Sequence, residues 1–464
     1  MIKGIAKILF IGLFFFQEIG FAQDLLLKDK KSRVDLILSA RGEVYLAIPV
    51  SQRKSFIPLV NAITPDKQTD SLIYFYANSA QFKLVDESSL EYQVFTAPSM
   101  IGPVRMASGI DEVLSGQAYP TYQQYLDLMQ QFSQNFPELC KIDTIGYSIN
   151  GKLILSARLQ KGGYSIGDKP TVFLSSTMHG DEVVGYSLML MLINDFLTNA
   201  YSSPRISAIL DDLVVIINPL SNPDGTYFQS DTSLYGATRF NSANADLNRN
   251  FPDVLKGMNY SVADLEKENK AMVSYMERYL PVVSANFHTG EEVLNYPWDS
   301  WFSYEYKHAD DSWFIEICKD YVDIARSVDQ NYLQTFSTGY VFGSDWYWIP
   351  RGRQDFVTYC LRGREITIEL SKIKLPDASQ ISGFWDKNHD ALINFIEKAG
   401  YGVFGLVSDS LTKAPIGALI EIPGYDKHES NIFGNPVSGK FFRYLPAGNY
   451  NLTVSATGCI LLAS

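Results

Sequence analysis

His179 and Glu182 are three residues apart, and an imidazole and a carboxylate at that spacing can converge on one cation of borderline softness, such as zinc. They follow the β-branched and apolar run TVFLSS (171–176), which suits a buried strand, and precede VVGYSLMLMLINDFL (183–197), which reads as an amphipathic to buried helix. Such a pair is equally an ordinary surface pair, so other residues must add to it. Of the five histidines, His288 stands at the tip of a second strand-like run, PVVSANFH (281–288), while His308, His389 and His428 have no such setting. Two imidazoles and one carboxylate at strand ends, with water in the fourth position, would form a catalytic rather than a structural zinc site. The plainer alternative leaves His288 a loop residue.

Further polar residues sit where chemistry could use them. Arg239, Asp246, Asn248 and Arg249 lie in one polar run, GATRFNSANADLNRNF. Two guanidiniums and a carboxamide suit recognition of a carboxylate, because arginine offers paired donors that match a planar anion. Asp246 could orient a metal-bound imidazole as its hydrogen-bond acceptor. Salt-bridged surface residues would look the same. In EITIEL (365–370), Glu365 and Glu369 alternate with apolar neighbours, which implies partial burial. A carboxylate in such a place tends towards a raised pKa and fits a general base acting on water.

The elements that must position these residues alternate. YQQYLDLMQQFSQNF has helical spacing, KIDTIGYS, KLILSARL, TVFLSS and LVVIINPL are strand-like, and ligand groups are expected on loops at strand ends. This larger α/β unit is expected over 119–400. Before it, RGEVYLAIPV reads as a strand, SQRKSFIPLVNAI as helical, SLIYFYA and AQFKLV as strands, and ESSLEYQVFTA closes a small α/β domain over 23–100. That domain has no obvious chemical task and reads as a folding aid, a removable cap or a packing module. Residues 101–118, with Gly102, Pro103 and Gly109, read as a linker. From 401 to 464 short alternating runs separated by turn residues point to an all-β sandwich, either short of a strand or truncated, since CILLAS has no evident partner.

At 464 residues the chain is long enough for about three domains. Its 46% hydrophobic and 19% charged residues are ordinary for a globular protein. The formal net charge of −12 argues against nucleic acid as a partner and permits cationic ligands. Four scattered cysteines exclude a disulfide scaffold or a cysteine zinc site and allow at most one or two bridges. Residues 1–22 place Lys3 and Lys7 ahead of the apolar run ILFIGLFFF and end in Gly-Phe-Ala, the layout of a secretory signal peptide. Export to periplasm, cell surface or medium is expected, with no membrane span left after cleavage, because that run is short of the roughly 20 residues a span needs.

HGDE (179–182), NPDG (222–225), RFNSANADLNRNFPD (239–253), SANFHTGEEVLNYPWD (284–299), WYWIPRGRQD (346–355) and EITIEL (365–370) together resemble, in order and spacing, the motif series of the zinc metallocarboxypeptidases. The similarity is greater to the regulatory branch of carboxypeptidase D, E and N types, which carries a transthyretin-like domain after the catalytic one. The resemblance implies a mixed-sheet carboxypeptidase-type catalytic domain, one zinc ion held by His179, Glu182 and His288, and Asp246 behind His179. It implies Arg239 at the oxyanion, Asn248 and Arg249 on the substrate's terminal carboxylate, Glu369 as general base and Tyr347 as a mobile cap. Asp299 and Gln354 would face a basic C-terminal side chain, and the substrates would be peptide or protein C-termini. The N-terminal unit would be pro-domain-like or accessory. Arg351-Gly352 stands where two glycines are usual, a departure that bears on pocket shape. Related classes of function are a carboxypeptidase-like binding protein without catalysis, against which Glu369 and the three ligands weigh, and a zinc peptidase acting on cell-wall peptides, against which Asp299 weighs.

Overall fold

The computed structural model describes residues 29–163 and 167–457. The segment 1–22, expected as a signal peptide, and the closing CILLAS lie outside the described residues. Contacts divide the chain into a unit ending at Thr96 and a larger one beginning at Ala97.

The first unit contains α1 (Lys30–Arg41), β1 (Val44–Pro49), β2 (Pro65–Gln68), β3 (Leu72–Ala77), α2 (Ser79–Glu87) and β4 (Gln93–Phe95). Its antiparallel sheet has the order β2-β3-β1-β4. AQFKLV, expected as a strand, is helical. Asn78 caps it with a reciprocal bond to Gln81, and Phe82 and Val85 turn one face inward, so capping chemistry overrides the strand reading of its apolar residues. The expected helix over SQRKSFIPLVNAI is reduced to short helical turns around Pro58.

The larger unit is built on α3 (Tyr122–Asn135), β5 (Cys140–Tyr147), β6 (Leu153–Leu159), β7 (Thr171–Ser176), α4 (Val184–Asn199), α5 (Pro204–Asp212), β8 (Val214–Asn218), α6 (Lys267–Tyr279), β9 (Val283–His288), β10 (Glu292–Tyr296), α7 (Asp311–Val328), β11 (Tyr340–Phe342), α8 (Arg353–Cys360), β12 (Arg364–Leu370) and α9 (Ile381–Glu397). One eight-stranded sheet runs β11-β10-β12-β9-β7-β8-β6-β5. Its centre, β12-β9-β7-β8, is parallel, and the flanks are mixed. Burial on both faces explains the nearly continuous apolar strands. Val172, Leu174, Val215 and Ile217 point to the layer of α3, α4, α7 and α9, while Phe173, Val214 and Ile216 point to the layer of α6 and α8. The mixed-sheet α/β architecture expected from the sequence is the one observed.

The stretch 101–118, expected as a linker, packs against this unit. Ala118 and Tyr119 are fully buried, Ala107 N–H donates to Tyr119 O, and the Tyr119 hydroxyl donates to Pro376 O at 2.9 Å. Gly and Pro spacing gave a turn-rich segment correctly but could not reveal that its apolar residues had a partner distant in sequence. After α9 the chain is all-β, in the sheets β13 (Val403–Leu406) with β16 (Lys440–Arg443), and β15 (Ile432–Phe433), β14 (Leu419–Glu421) and β17 (Thr453–Ser455). Cys140, Cys318 and Cys360 are free thiols among the described residues, and Cys459 lies outside them.

Candidate active site

The parallel strands β7, β9 and β12 end side by side, and their C-terminal ends carry His179, His288 and Glu369. Glu369 is the register partner of His288 across the β9/β12 ladder. After β7 the chain turns sharply: Thr177 has a φ of 62°, a left-handed conformation that costs a β-branched residue about 1–3 kcal/mol. The turn is held by Asn222 N–H donating to Thr177 O at 3.0 Å, and Asn222 Nδ2 donates to Met178 O at 3.2 Å. At Gly180 a Cβ would lie 2.4 Å from the Gly225 carbonyl carbon, so NPDG and the His179 loop interlock only because Gly180 lacks a side chain.

His179, Glu182 and His288 are all buried, and one donor atom from each lies within 4.8 Å of the others. His179 Nδ1 is 3.0 Å from Glu182 Oε1, His288 Nδ1 is 2.7 Å from Glu182 Oε2, and the two Nδ1 atoms are 3.1 Å apart. The other ring nitrogens have acceptors: His179 Nε2 meets Asp246 Oδ1 at 3.1 Å and His288 Nε2 meets Asn286 Oδ1 at 2.7 Å. Those acceptors place the ring protons on Nε2 and turn both Nδ1 lone pairs towards a carboxylate. Three electron-rich donors converging in a buried space fit a divalent cation, and two nitrogens with one carboxylate suit zinc. Burial lowers the His288 pKa to about 4, which keeps its lone pair available.

Asp246 serves two groups. It accepts from Arg239 Nε and Nη2 at 3.1 and 3.0 Å while meeting His179, and Arg239 Nη1 is 3.4 Å from Glu182 Oε1. Despite burial, the charges of Arg239 and His179 hold its carboxyl well below the usual carboxylate range. Asn248 and Arg249 follow at once on a single helical turn capped by Asp246. Asn248 Oδ1 accepts from Arg353 N–H at 3.0 Å, and Arg249 Nη1 donates to Asn248 O at 2.8 Å. Burial lowers the Arg249 pKa, although it remains a cation. Half-buried Tyr347 stacks edge-on with Trp346, and the charges of Glu369, Arg249, Arg239 and Asp299 act on its hydroxyl, whose pKa is pushed up mainly by burial.

Asp299 lies beneath this group, 3% exposed, where Gln354 Nε2 donates to its Oδ1 at 3.1 Å. Asp355 accepts the backbone N–H groups of Asp299 and Ser300 at 3.0 and 2.7 Å. Burial, and then the adjacent Asp355, push the Asp299 carboxyl well above its ordinary range; Asp355 itself is raised by burial to about 6. A pocket whose carboxyls resist ionisation is one that a cation would relieve. Gly343 forms its wall so closely that a Cβ would stand 1.9 Å from Asp299 Oδ1.

A model of the zinc carboxypeptidase family matches residues 125–391, more than half of the chain. The chain belongs to the zinc carboxypeptidase family. Among curated relatives it is 30% identical to the catalytic chain of carboxypeptidase N from Rattus norvegicus over 69% of this chain and 77% of that one. It is 29% identical to carboxypeptidase D from Anas platyrhynchos over 71% of this chain, and spans only 24% of that longer protein. Among solved structures, thrombin-activatable fibrinolysis inhibitor has a TM-score of 0.56 at 17% identity, covering 78% of this chain and 99% of that one. Carboxypeptidase A from Helicoverpa armigera has a TM-score of 0.55 at 16% identity, covering 76% and 97%. Those two likenesses concern the fold.

In this member of the family all eleven residues singled out in the sequence lie in the larger unit, and the contacts among them gather around the ends of β7, β9 and β12. His308, His389 and His428 lie elsewhere: His308 Nδ1 accepts from Asp310 N–H, His389 pairs with Asp195 and Asp390, and His428 packs on Tyr306. Of the two glutamates of EITIEL, Glu365 is fully buried and ion-paired with Arg353 at 2.9 Å, which removes it as a general-base candidate. Arg351, at a φ of 60°, directs its Nε to Phe251 O at 3.1 Å. Its side chain therefore ties the pocket loop to the irregular segment after Arg249. Sequence reasoning missed Asn286, Thr367 and Lys374. Asn286 was readable, since it lies two residues before His288 and so shares its face of the strand. Lys374, whose Nζ is 2.6 Å from Glu182 Oε1, had no local signal.

Proposed function

We propose that this chain is an exported zinc-dependent metallocarboxypeptidase that hydrolyses the C-terminal residue of peptides or proteins and prefers Lys or Arg. The observation that carries this is the convergence of His179, Glu182 and His288 in the same site as a buried aspartate, Asp299, whose carboxyl accepts from Gln354 and feels the charge of Arg249. When bound, zinc supplies Lewis acidity at the scissile carbonyl and to the attacking water. Glu369, on the strand next to His288, takes the proton of that water and returns it to the leaving amine. Arg239, anchored by Asp246, meets the charge that develops on the carbonyl oxygen, a contact stronger in the transition state than before it. Asn248 and Arg249 grip the free terminal carboxylate, which only a chain end offers, and Tyr347 covers the bound end. Asp299 with Gln354 faces a basic side chain, and losing one partner of such a buried pair costs about 2–5 kcal/mol.

Export is supported by the basic and apolar layout of residues 1–22, and no helix among the described residues is long and apolar enough to cross a membrane. In this reading 119–400 is the catalytic domain, the all-β region after it a transthyretin-like domain, and the unit before it a pro-domain-like or accessory one. The test is release of C-terminal Arg, Lys, Leu and Glu from matched peptides, with and without a chelator. Chelator-sensitive release of Arg and Lys well ahead of Leu and Glu is expected; absence of any chelator-sensitive release would overturn the reading.

A further inference from the structure

Below His288 and Glu369 the paired strands β9 and β12 carry a polar stripe. Ser284, Asn286 and His288 lie on one face of β9, opposite Glu365, Thr367 and Glu369 on β12, rung by rung in register. The intervening Ala285, Phe287, Ile366 and Ile368 pack into the apolar layer on the other face. A buried polar stripe is costly unless each group finds a partner. Here each does. Ser284 Oγ donates to Glu365 Oε2 at 2.7 Å, and Asn286 Nδ2 donates to Glu365 Oε1 at 2.9 Å and to Thr367 Oγ1 at 3.1 Å. Arg353 closes the base through Nε and Nη2 to both oxygens of Glu365, at 2.9 and 3.0 Å.

The bonds have a consistent direction. His288 Nε2 donates to Asn286 Oδ1, Asn286 Nδ2 donates to Thr367 Oγ1, Thr367 Oγ1 donates to Gln354 Oε1 at 3.0 Å, and Gln354 Nε2 donates to Asp299 Oδ1. Each polar group in this row uses one end towards the metal side and the other towards the pocket. We propose that Asn286 and Thr367 are positioning residues shared by the two halves of the site. Asn286 fixes the ring and tautomer of His288, and Thr367 carries the same register to Gln354 and so to Asp299. The Arg353–Glu365 pair holds Asn286 in place from below. The inference deepens the zinc carboxypeptidase reading and, in its pocket arm, rests on the preference for basic residues.

Three variants of the full chain separate these roles. Asn286→Leu should weaken zinc about 10- to 100-fold in competition with a chromophoric chelator, as loss of a ligand's hydrogen-bond partner does. Thr367→Val keeps the metal side, so zinc affinity should stay unchanged while KM for a peptide ending in Arg rises about tenfold and that for one ending in Leu does not. Thr367→Ser should restore the Arg value. Zinc binding as in the unaltered chain by Asn286→Leu, or equal losses on Arg and Leu in Thr367→Val, would overturn the proposal. If Asn286→Leu does not fold, Asn286→Ser takes its place with the same expectation of weakened zinc. Asp299→Ala run in parallel tells the two readings apart. Where it too treats Arg and Leu alike, the basic preference has failed, and zinc affinity of the Asn286 variant alone decides the positioning role.

Discussion

Glu369 and Asp299 are carboxylates of one site with opposite demands on their surroundings. Glu369 is partly exposed at the strand end beside His288, where water can reach it, and Glu369→Gln should keep the metal while turnover falls about 10²- to 10⁴-fold. Kinetics with a parallel metal determination check this, and retention of most of kcat would remove Glu369 from the reaction. Asp299 is dry, and burial with Asp355 at its side raises its pKa, so acid converts it to the neutral form that attracts no cation. Proton and basic side chain therefore compete. KM for a peptide ending in Arg should rise as pH falls through the raised range of this carboxyl pair, with KM for Leu moving less. Parallel pH profiles of the two substrates that superimpose would speak against a carboxylate contact.

At the level of elements, the site depends on strand ends and on loops pressed together without side chains between them. Gly343→Ala tests the specificity wall: its methyl group would collide with Asp299 Oδ1, so selectivity for Arg over Leu should shrink at least tenfold while the thermal midpoint moves little. Gly180→Ala instead drives a methyl group into the backbone of Gly225 and Thr226, which cannot yield as a side-chain tip does. A loss of about 1–3 kcal/mol in denaturant unfolding, together with weaker metal binding, is expected. Full stability in that variant would mean that the NPDG turn moves independently of the His179 loop.

For the larger unit as a whole, the all-β region is fastened to the α/β core by buried charge. Asp310 accepts from Arg364 Nε at 2.8 Å and from Arg443 Nη1 at 2.8 Å, and from the Tyr425 hydroxyl at 2.8 Å, so residues from both regions share one carboxylate. The two guanidiniums offset its burial and hold its pKa far below normal. Asp310→Ala would leave two buried cations without it, and breaking such an arrangement costs about 3–5 kcal/mol. The expected result is a lowered unfolding midpoint for catalysis and global structure together. If activity survives while only the β signal melts early, the all-β region is a dispensable attachment.

Strand periodicity, a local property, was enough to bring out the α/β core, whereas residue type and spacing only made His179, Glu182, His288 and Asp246 candidates, and it was the resemblance of the ordered motifs that singled them out. AQFKLV misled, since its apolar composition outweighed the Asn78 and Gln81 cap in a strand reading, and residues 101–118 misled because burial depends on partners far along the chain. Glu365 and Glu369 could not be told apart by pattern alone; both face the same way, and only the arrival of Arg353 from α8 neutralises one and leaves the other beside His288. Lys374 against Glu182 and Gly343 against Asp299 were likewise decided in three dimensions. A sequence records which groups can bond, but contacts closing loops of tens to hundreds of residues are set by how the strands pair and the layers pack.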